Sequence, residues 1–152
     1  MILDAIIIGR KAKEPLQYVK SVRAIKGRGL EGDRYFYGKG TFNKPQLSQN
    51  VREVSILPFE TLAECNSRLG SNLDFPDLRR NLIVKHFDAS LLEDKIFSIG
   101  SAKFCIVRTC PPCRYLSRLL VEDMMKGLQY IGGYRAIIVQ SGIINVGDEL
   151  IF

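Results

Sequence analysis

Apolar positions along the chain fall into short bursts separated by polar, glycine-rich stretches. Residues 3–8 are almost continuously apolar and close at Gly9, which predicts a first strand. A polar connection over 10–16 precedes a loosely alternating stretch at 18–25, a second strand. Residues 54–57 form a third. Pro58 then fits the first turn of a helix running to Leu69, with Phe59, Leu62, Ala63 and Leu69 at helical spacing and Gly70 as the stop. Residues 72–78 read as a loop. Strands follow at 81–84, 96–99 and 102–108, the last two joined by Gly100-Ser101. A second helix is predicted over 115–126, with Leu116, Leu119, Leu120 and Met124 on one face and Gly127 ending it. Residues 135–140 and one or two strands within 142–152 complete the pattern. Seven or eight strands with two helices leave too few helices for alternating βαβ units. The expected class is β-rich, mainly antiparallel and barrel-like, with helices packed on it, as a single domain over 1–152.

Two stretches interrupt this pattern. Gly27, Gly29 and Gly32 fall within six residues and predict a loop with unusual backbone angles. Residues 38–50 are polar and turn-rich, and predict a mobile flap.

Composition adds limits. The chain has 152 residues, 46% apolar and 25% charged, as in ordinary globular proteins. The longest apolar run, residues 5–8, is far too short for a bilayer, so no membrane partner is expected. The N-terminus lacks the basic and apolar regions of a secretory signal, so a cytoplasmic location with reduced thiols is expected. A formal net charge of +6 suits an anionic partner. The basic residues are scattered, with no basic helix and no aromatic platform, which argues against nucleic acid.

The densest chemistry lies in Thr109-Cys110-Pro111-Pro112-Cys113-Arg114, between a predicted strand and a predicted helix. A thiolate at a helix start is stabilised by unpaired N–H groups and the positive end of the helix dipole. Four readings compete. Zinc needs further ligands, for which only Cys65, Cys105 and His86 remain. A thioredoxin-like dithiol needs a βαβ frame that the pattern lacks. The thiols could be inert and buried. The fourth reading is a reactive or metal-ligating thiolate at Cys113, with Cys110 as a possible helper through disulfide exchange. Elsewhere, Asp33 and Arg34 follow the glycine-rich loop, where backbone donors and an arginine fork suit an oxyanion. Arg79, Arg80 and Asn81 precede an apolar strand. Alternation would put Arg79 and Asn81 on one face as a donor-rich patch. Gly132-Gly133-Tyr134-Arg135-Ala136 and Gly147-Asp148-Glu149 read as structural turns feeding strands.

In order, these pieces resemble the MOSC domain, named for the C-terminal part of molybdenum cofactor sulfurases. The matching elements are Gly32-Asp33-Arg34, Arg79-Arg80-Asn81-Leu82, Phe97-Ser98-Ile99-Gly100, Cys110-Pro111-Pro112-Cys113, Arg135-Ala136 and Val146-Gly147-Asp148. The resemblance implies a barrel-like β domain that binds the molybdenum cofactor, a pterin dithiolene (molybdopterin) with a phosphate tail. The family's invariant cysteine looks like Cys113, implying a persulfide sulfur carrier or a molybdenum ligand in a reductase of N-oxygenated compounds. The family's Arg-x-Asn pattern falls on Arg79 and Asn81, with Arg80 between them, and its Gly-Asp-Arg arginine on Arg34. The resemblance also implies an electron-donor or sulfur-donor partner protein, and family descriptions add pyridoxal phosphate binding. Many relatives carry histidine where this chain has Tyr35. The chain looks like a short, stand-alone microbial member.

Overall fold

The computed structural model describes residues 1–39, 53–112 and 114–152. Most of the expected flap, and Cys113 itself, lie outside the described residues. Strands β1 (Ile2–Ile8), β2 (Gln17–Val19), β5 (Val54–Pro58), β6 (Leu82–Lys85), β7 (Ile96–Ile99), β8 (Ala102–Thr109), β9 (Tyr134–Gln140) and β11 (Leu150–Ile151) form one sheet. Its order is β11-β7-β8-β9-β5-β6-β1-β2. Strands β3 (Ser21–Ile25), β4 (Gly29–Leu30) and β10 (Gly142–Asn145) form a second, in the order β10-β3-β4. Every pairing is antiparallel except β5 with β6.

The β-rich, mainly antiparallel class is therefore the observed one, but the large sheet is not closed into a barrel. Among the described residues, its ends approach through a few backbone bonds. Leu3 N donates to Asp148 O at 2.9 Å, Gly147 N to Leu3 O at 2.7 Å and Leu150 N to Met1 O at 3.0 Å.

The sheet buries both faces. Leu3, Ile6, Ile56, Leu82, Phe97, Phe104 and Ile138 fill a core on one side with Val22 and Ile144 of the small sheet. Ile7, Leu57 and Ile83 pack on the other side against helix residues Cys65, Leu116 and Met124. This explains why β1 reads as a continuous apolar run rather than an alternating one. A register shift between Leu3 and Ala5 helps distribute its side chains between the two faces.

Several local expectations are corrected. The predicted strand at 18–25 divides at Lys20, and its halves serve different sheets. Pro58 ends β5 instead of opening a helix, and α1 spans Thr61–Leu69. The loop at 72–78 contains a 3-10 turn, Phe75–Leu78, held by a reciprocal capping box between Asp74 and Asp77. A one-turn helix, α2 (Ala89–Leu92), is capped by Asp88, whose side chain accepts from Ser90 N. The second predicted helix breaks in two, α3 (Arg114–Leu120) and α4 (Met124–Gly127). Gly127 lies inside α4, and Asp123 caps that helix by accepting from Lys126 N.

The break falls at Val121, whose φ is +55°. Glu122 N donates to Ser117 O at 3.4 Å, the long bond of a Schellman motif. Such a position favours glycine, and a β-branched residue is strained there. Val121 is 89% exposed, so its side chain contributes little burial in return. Val121→Gly is expected to raise stability by about 1 kcal/mol, read as a higher urea midpoint at unchanged slope. An unchanged or lower midpoint would contradict the strain. Among the described residues, no helix is long and apolar enough to cross a membrane.

Candidate functional site

The predicted glycine-rich loop contains the short strand β4, and the turn that follows at Gly32 carries Asp33, which is fully buried. Its carboxylate accepts from Gly9 N at 3.1 Å, Tyr35 N at 3.4 Å and Arg34 Nη1 at 2.9 Å. Arg34 is buried too, and its Nη2 donates to Arg79 O at 3.2 Å. Arg79 sits just past the 3-10 turn with φ +56°, in the left-handed region. The alternation expected for 79–81 as a strand therefore does not hold, because the strand begins at Leu82. The Arg79 guanidinium donates through Nη1 to Glu14 O at 2.6 Å. Its Nη2 is buried and has no hydrogen-bond partner among the described residues. Burial lowers the Arg79 pKa, and the Arg34 charge lowers it further, against Tyr115, Tyr35 and Asp33.

Asn81 goes elsewhere. It is fully buried and its side-chain oxygen accepts from Ser55 N and Ser55 Oγ, each at 3.1 Å. Its amide donates to Ile7 O at 3.1 Å. Asn81 thus ties β1, β5 and β6 together at one level. Arg80 faces the loop before β9, donating from Nε to Gly132 O at 2.9 Å and from Nη1 to Leu78 O at 3.1 Å.

Tyr35 connects the arginine cluster to the cysteine loop. The Arg34 guanidinium lies 4.7 Å from the centre of its ring, and that of Arg135 lies 5.5 Å away. Arg135 is 4% exposed and donates hydrogen bonds to the Tyr35 side chain and to the Cys110 sulfur. Burial alone would lower its pKa, but Cys110 and Tyr35 outweigh that and raise it. Cys110 directly follows β8, and its N–H donates to Gly133 O at 2.8 Å. The structure therefore groups Asp33, Arg34 and Arg79 around Tyr35, and brings Cys110 to the same tyrosine through Arg135. The Asp33 carboxylate pairs directly with Arg34 and acts by charge on Arg79.

The sequence did not single out Arg135, Tyr35 or Tyr115 as site residues. For Arg135 a signal existed: an arginine opens an apolar strand with no polar alternation after it, so its charge must enter the interior. Tyr115 carries no such signal. Its hydroxyl meets Lys13 N, 2.9 Å away and 102 residues distant in sequence.

A cavity of about 620 Å³ opens on another side of Cys110, walled by Pro111 and Pro112, by α1 and by the loop before β9. None of the three clustered arginines lines it. Cys65 lies on α1, buried, and burial pushes its thiol pKa up. Cys105 lies mid-strand in β8, and His86 at the end of β6. No group of three or more His, Cys, Asp or Glu side chains converges as a metal site among the described residues. Both neighbours of β8 in the sheet are antiparallel to it, so Cys110 stands outside any βαβ unit.

A family model for the MOSC domain matches residues 43–151. The chain belongs to the MOSC domain family. Comparison with curated proteins returns no match. Solved structures share the fold of this MOSC domain at low identity. YuaD from Bacillus subtilis superposes with a TM-score of 0.79 at 18% identity, over 98% of this chain and 93% of its own. YiiM from Escherichia coli gives 0.71 at 17% identity, over 100% of this chain and 70% of its own. YiiM from Geobacillus stearothermophilus gives 0.67 at 15%, over 99% and 73%.

Proposed function

We propose that this MOSC domain binds the molybdenum cofactor and acts as a cofactor or sulfur carrier, or as a reductase of N-oxygenated compounds. A separate protein would supply sulfur or electrons. The observation that carries the reading is Arg79 Nη2, a buried cationic donor with no partner among the described residues. A buried donor of this kind requires an explanation, and an anionic ligand is the natural one where guanidinium groups outnumber carboxylates. The family association with molybdenum-cofactor proteins fits this chemistry, because the cofactor carries a phosphate and a dithiolene, both anionic.

In this reading Arg34 and Arg79 neutralise the ligand's charge, and Asp33 fixes the Arg34 fork. Tyr35 and Arg135 link that cradle to Cys110. Cys113 is the proposed molybdenum ligand or sulfur-bearing thiol, on its sequence match to the family's cysteine. The cofactor, when bound, would supply a redox-active metal centre. Asn81 contributes by holding the register of β1, β5 and β6, its side-chain amide being engaged by Ser55 and Ile7.

The test is to purify the protein from a host that makes the cofactor and to measure molybdenum and pterin per chain. Arg79→Met is expected to lose at least about tenfold in both, the effect of one charge-assisted hydrogen bond. The apoprotein of this variant should be no less stable than wild type, because the substitution removes a buried charge lacking its full set of partners. Cys113→Ala should lose the metal. Equal loading in all three proteins, or none in wild type, would reject the proposal. Normal loading in Cys113→Ala with loss in Arg79→Met would leave a binding module that does not use the thiol.

A further inference from the structure

We propose that the cavity beside Cys110 is a site for a cationic organic molecule, a protonated amine on an aromatic or similarly flat body, with Glu60 as the residue that selects its charge. The cavity's volume of about 620 Å³ is within the range of small-molecule pockets. Its only charged lining side chains among the described residues are Glu60 and Glu64, one turn apart on the first turn of α1 and the residue before it. Glu64 is committed to Arg68, whose Nε lies 3.1 Å away. Glu60 precedes α1 but makes no capping hydrogen bond, and it has no ion-pair partner among the described residues. Its carboxylate is therefore free to face a ligand.

The rest of the wall suits the same ligand. Tyr130 lines the cavity while remaining 94% exposed, and its φ of +66° places it in the left-handed region. An exposed aromatic face beside a carboxylate is a favourable surroundings for an ammonium group. Tyr134 supplies a second ring, packed at a 40° tilt against Phe87 with centroids 5.2 Å apart. Pro111 and Pro112 provide an apolar floor without N–H donors. The buried Arg80 and Arg135 lie behind Gly132 and Cys110 and do not line the cavity. The site is thus opposite in charge preference to the arginine cradle, and both border the cysteine loop.

The inference does not depend on the cofactor reading, and its test uses the cofactor-free protein. Benzylammonium, benzyl alcohol and phenylacetate are titrated in turn, following backbone amide NMR shifts at Glu60 and Tyr130. Benzylammonium is expected to bind more tightly than phenylacetate and to shift both residues. Glu60→Gln should weaken benzylammonium about fivefold, as for a partly solvated ion pair, and leave benzyl alcohol unchanged. Because Glu60 makes no capping bond, this variant should keep α1 intact. Tyr130→Leu, away from the helix, should weaken benzylammonium more than benzyl alcohol. Equal or tighter phenylacetate binding, no effect of Glu60→Gln, or no binding of any probe would each overturn the proposal. None of these outcomes bears on molybdenum loading, so failure here is separable from failure of the cofactor reading.

Discussion

Asp33→Ala is expected to lower the unfolding free energy by roughly 3–5 kcal/mol, the cost of leaving a buried charge uncompensated. The expectation follows from what Asp33 holds. It is fully buried and accepts from Gly9 N, Tyr35 N and Arg34 Nη1. Alanine would strand two backbone donors and leave Arg34 and Arg79 facing each other without the carboxylate between them. Urea unfolding measures the loss. The double variant Asp33→Ala with Arg34→Met identifies its cause, because removing the stranded guanidinium should recover a large part of the stability. A single-variant loss below about 1 kcal/mol, the level of an ordinary hydrogen bond, would mean that the carboxylate does not hold the cluster together.

Gly133→Ala is expected to cost at least about 3 kcal/mol, more than backbone strain alone explains. Gly133 has φ +88°, and a Cβ there would collide with the carbonyl oxygen of Ile56 in the neighbouring strand β5. The obstacle is backbone, so no side chain can rotate away. Gly147 is the control. Its φ is +97°, but a Cβ would meet nothing within 4 Å, so Gly147→Ala should cost only about 1–2 kcal/mol of conformational strain. Thermal or urea unfolding of the two variants separates collision from strain, and equal losses would contradict the packing. The functional consequence should follow the structural one. Gly133 O holds the N–H of Cys110, and two residues later Arg135 reaches the Cys110 sulfur. A displaced Gly133 would disturb the thiol from both directions.

Much of the fold was legible because each strand carries its own apolar signal. The runs at 3–8, 54–57, 96–99 and 102–108 became β1, β5, β7 and β8 within a residue or two. The placement of the cysteine loop between a strand and a helix was legible for the same reason. The break at Val121 was not, since a valine at a left-handed position contradicts local preference and is imposed by the packing of α3 and α4. The Arg79 conformation was hidden similarly: the capping box over 74–77 ends the turn with a left-handed residue, which defeats any count of alternating faces. At the site, Arg34 and Arg79 could be proposed from their own surroundings in sequence. Arg135 could not be joined to Tyr35, because that contact depends on sheet order across a hundred residues. Glu60 drew no attention for the same reason. Tyr130 and Tyr134 are distant in sequence and share a cavity with it only once α1 and the loop before β9 have packed.

The backbone bonds between residues 1–3 and residues 147–150 bear on the timing of folding. The start of β1 cannot complete its pairing until the segment around Gly147 is available. The Ile-rich run does not wait for that segment, because residues 6–8 pair with β2 and residues 5 and 6 with β6. Closing so long a loop carries an entropic cost that these few bonds repay only when the rest of the sheet is in place. The contact between residues 1–3 and residues 147–150 should therefore be among the last to form and the first to open, and the Leu3 amide should exchange with solvent sooner than those of residues 6 and 7.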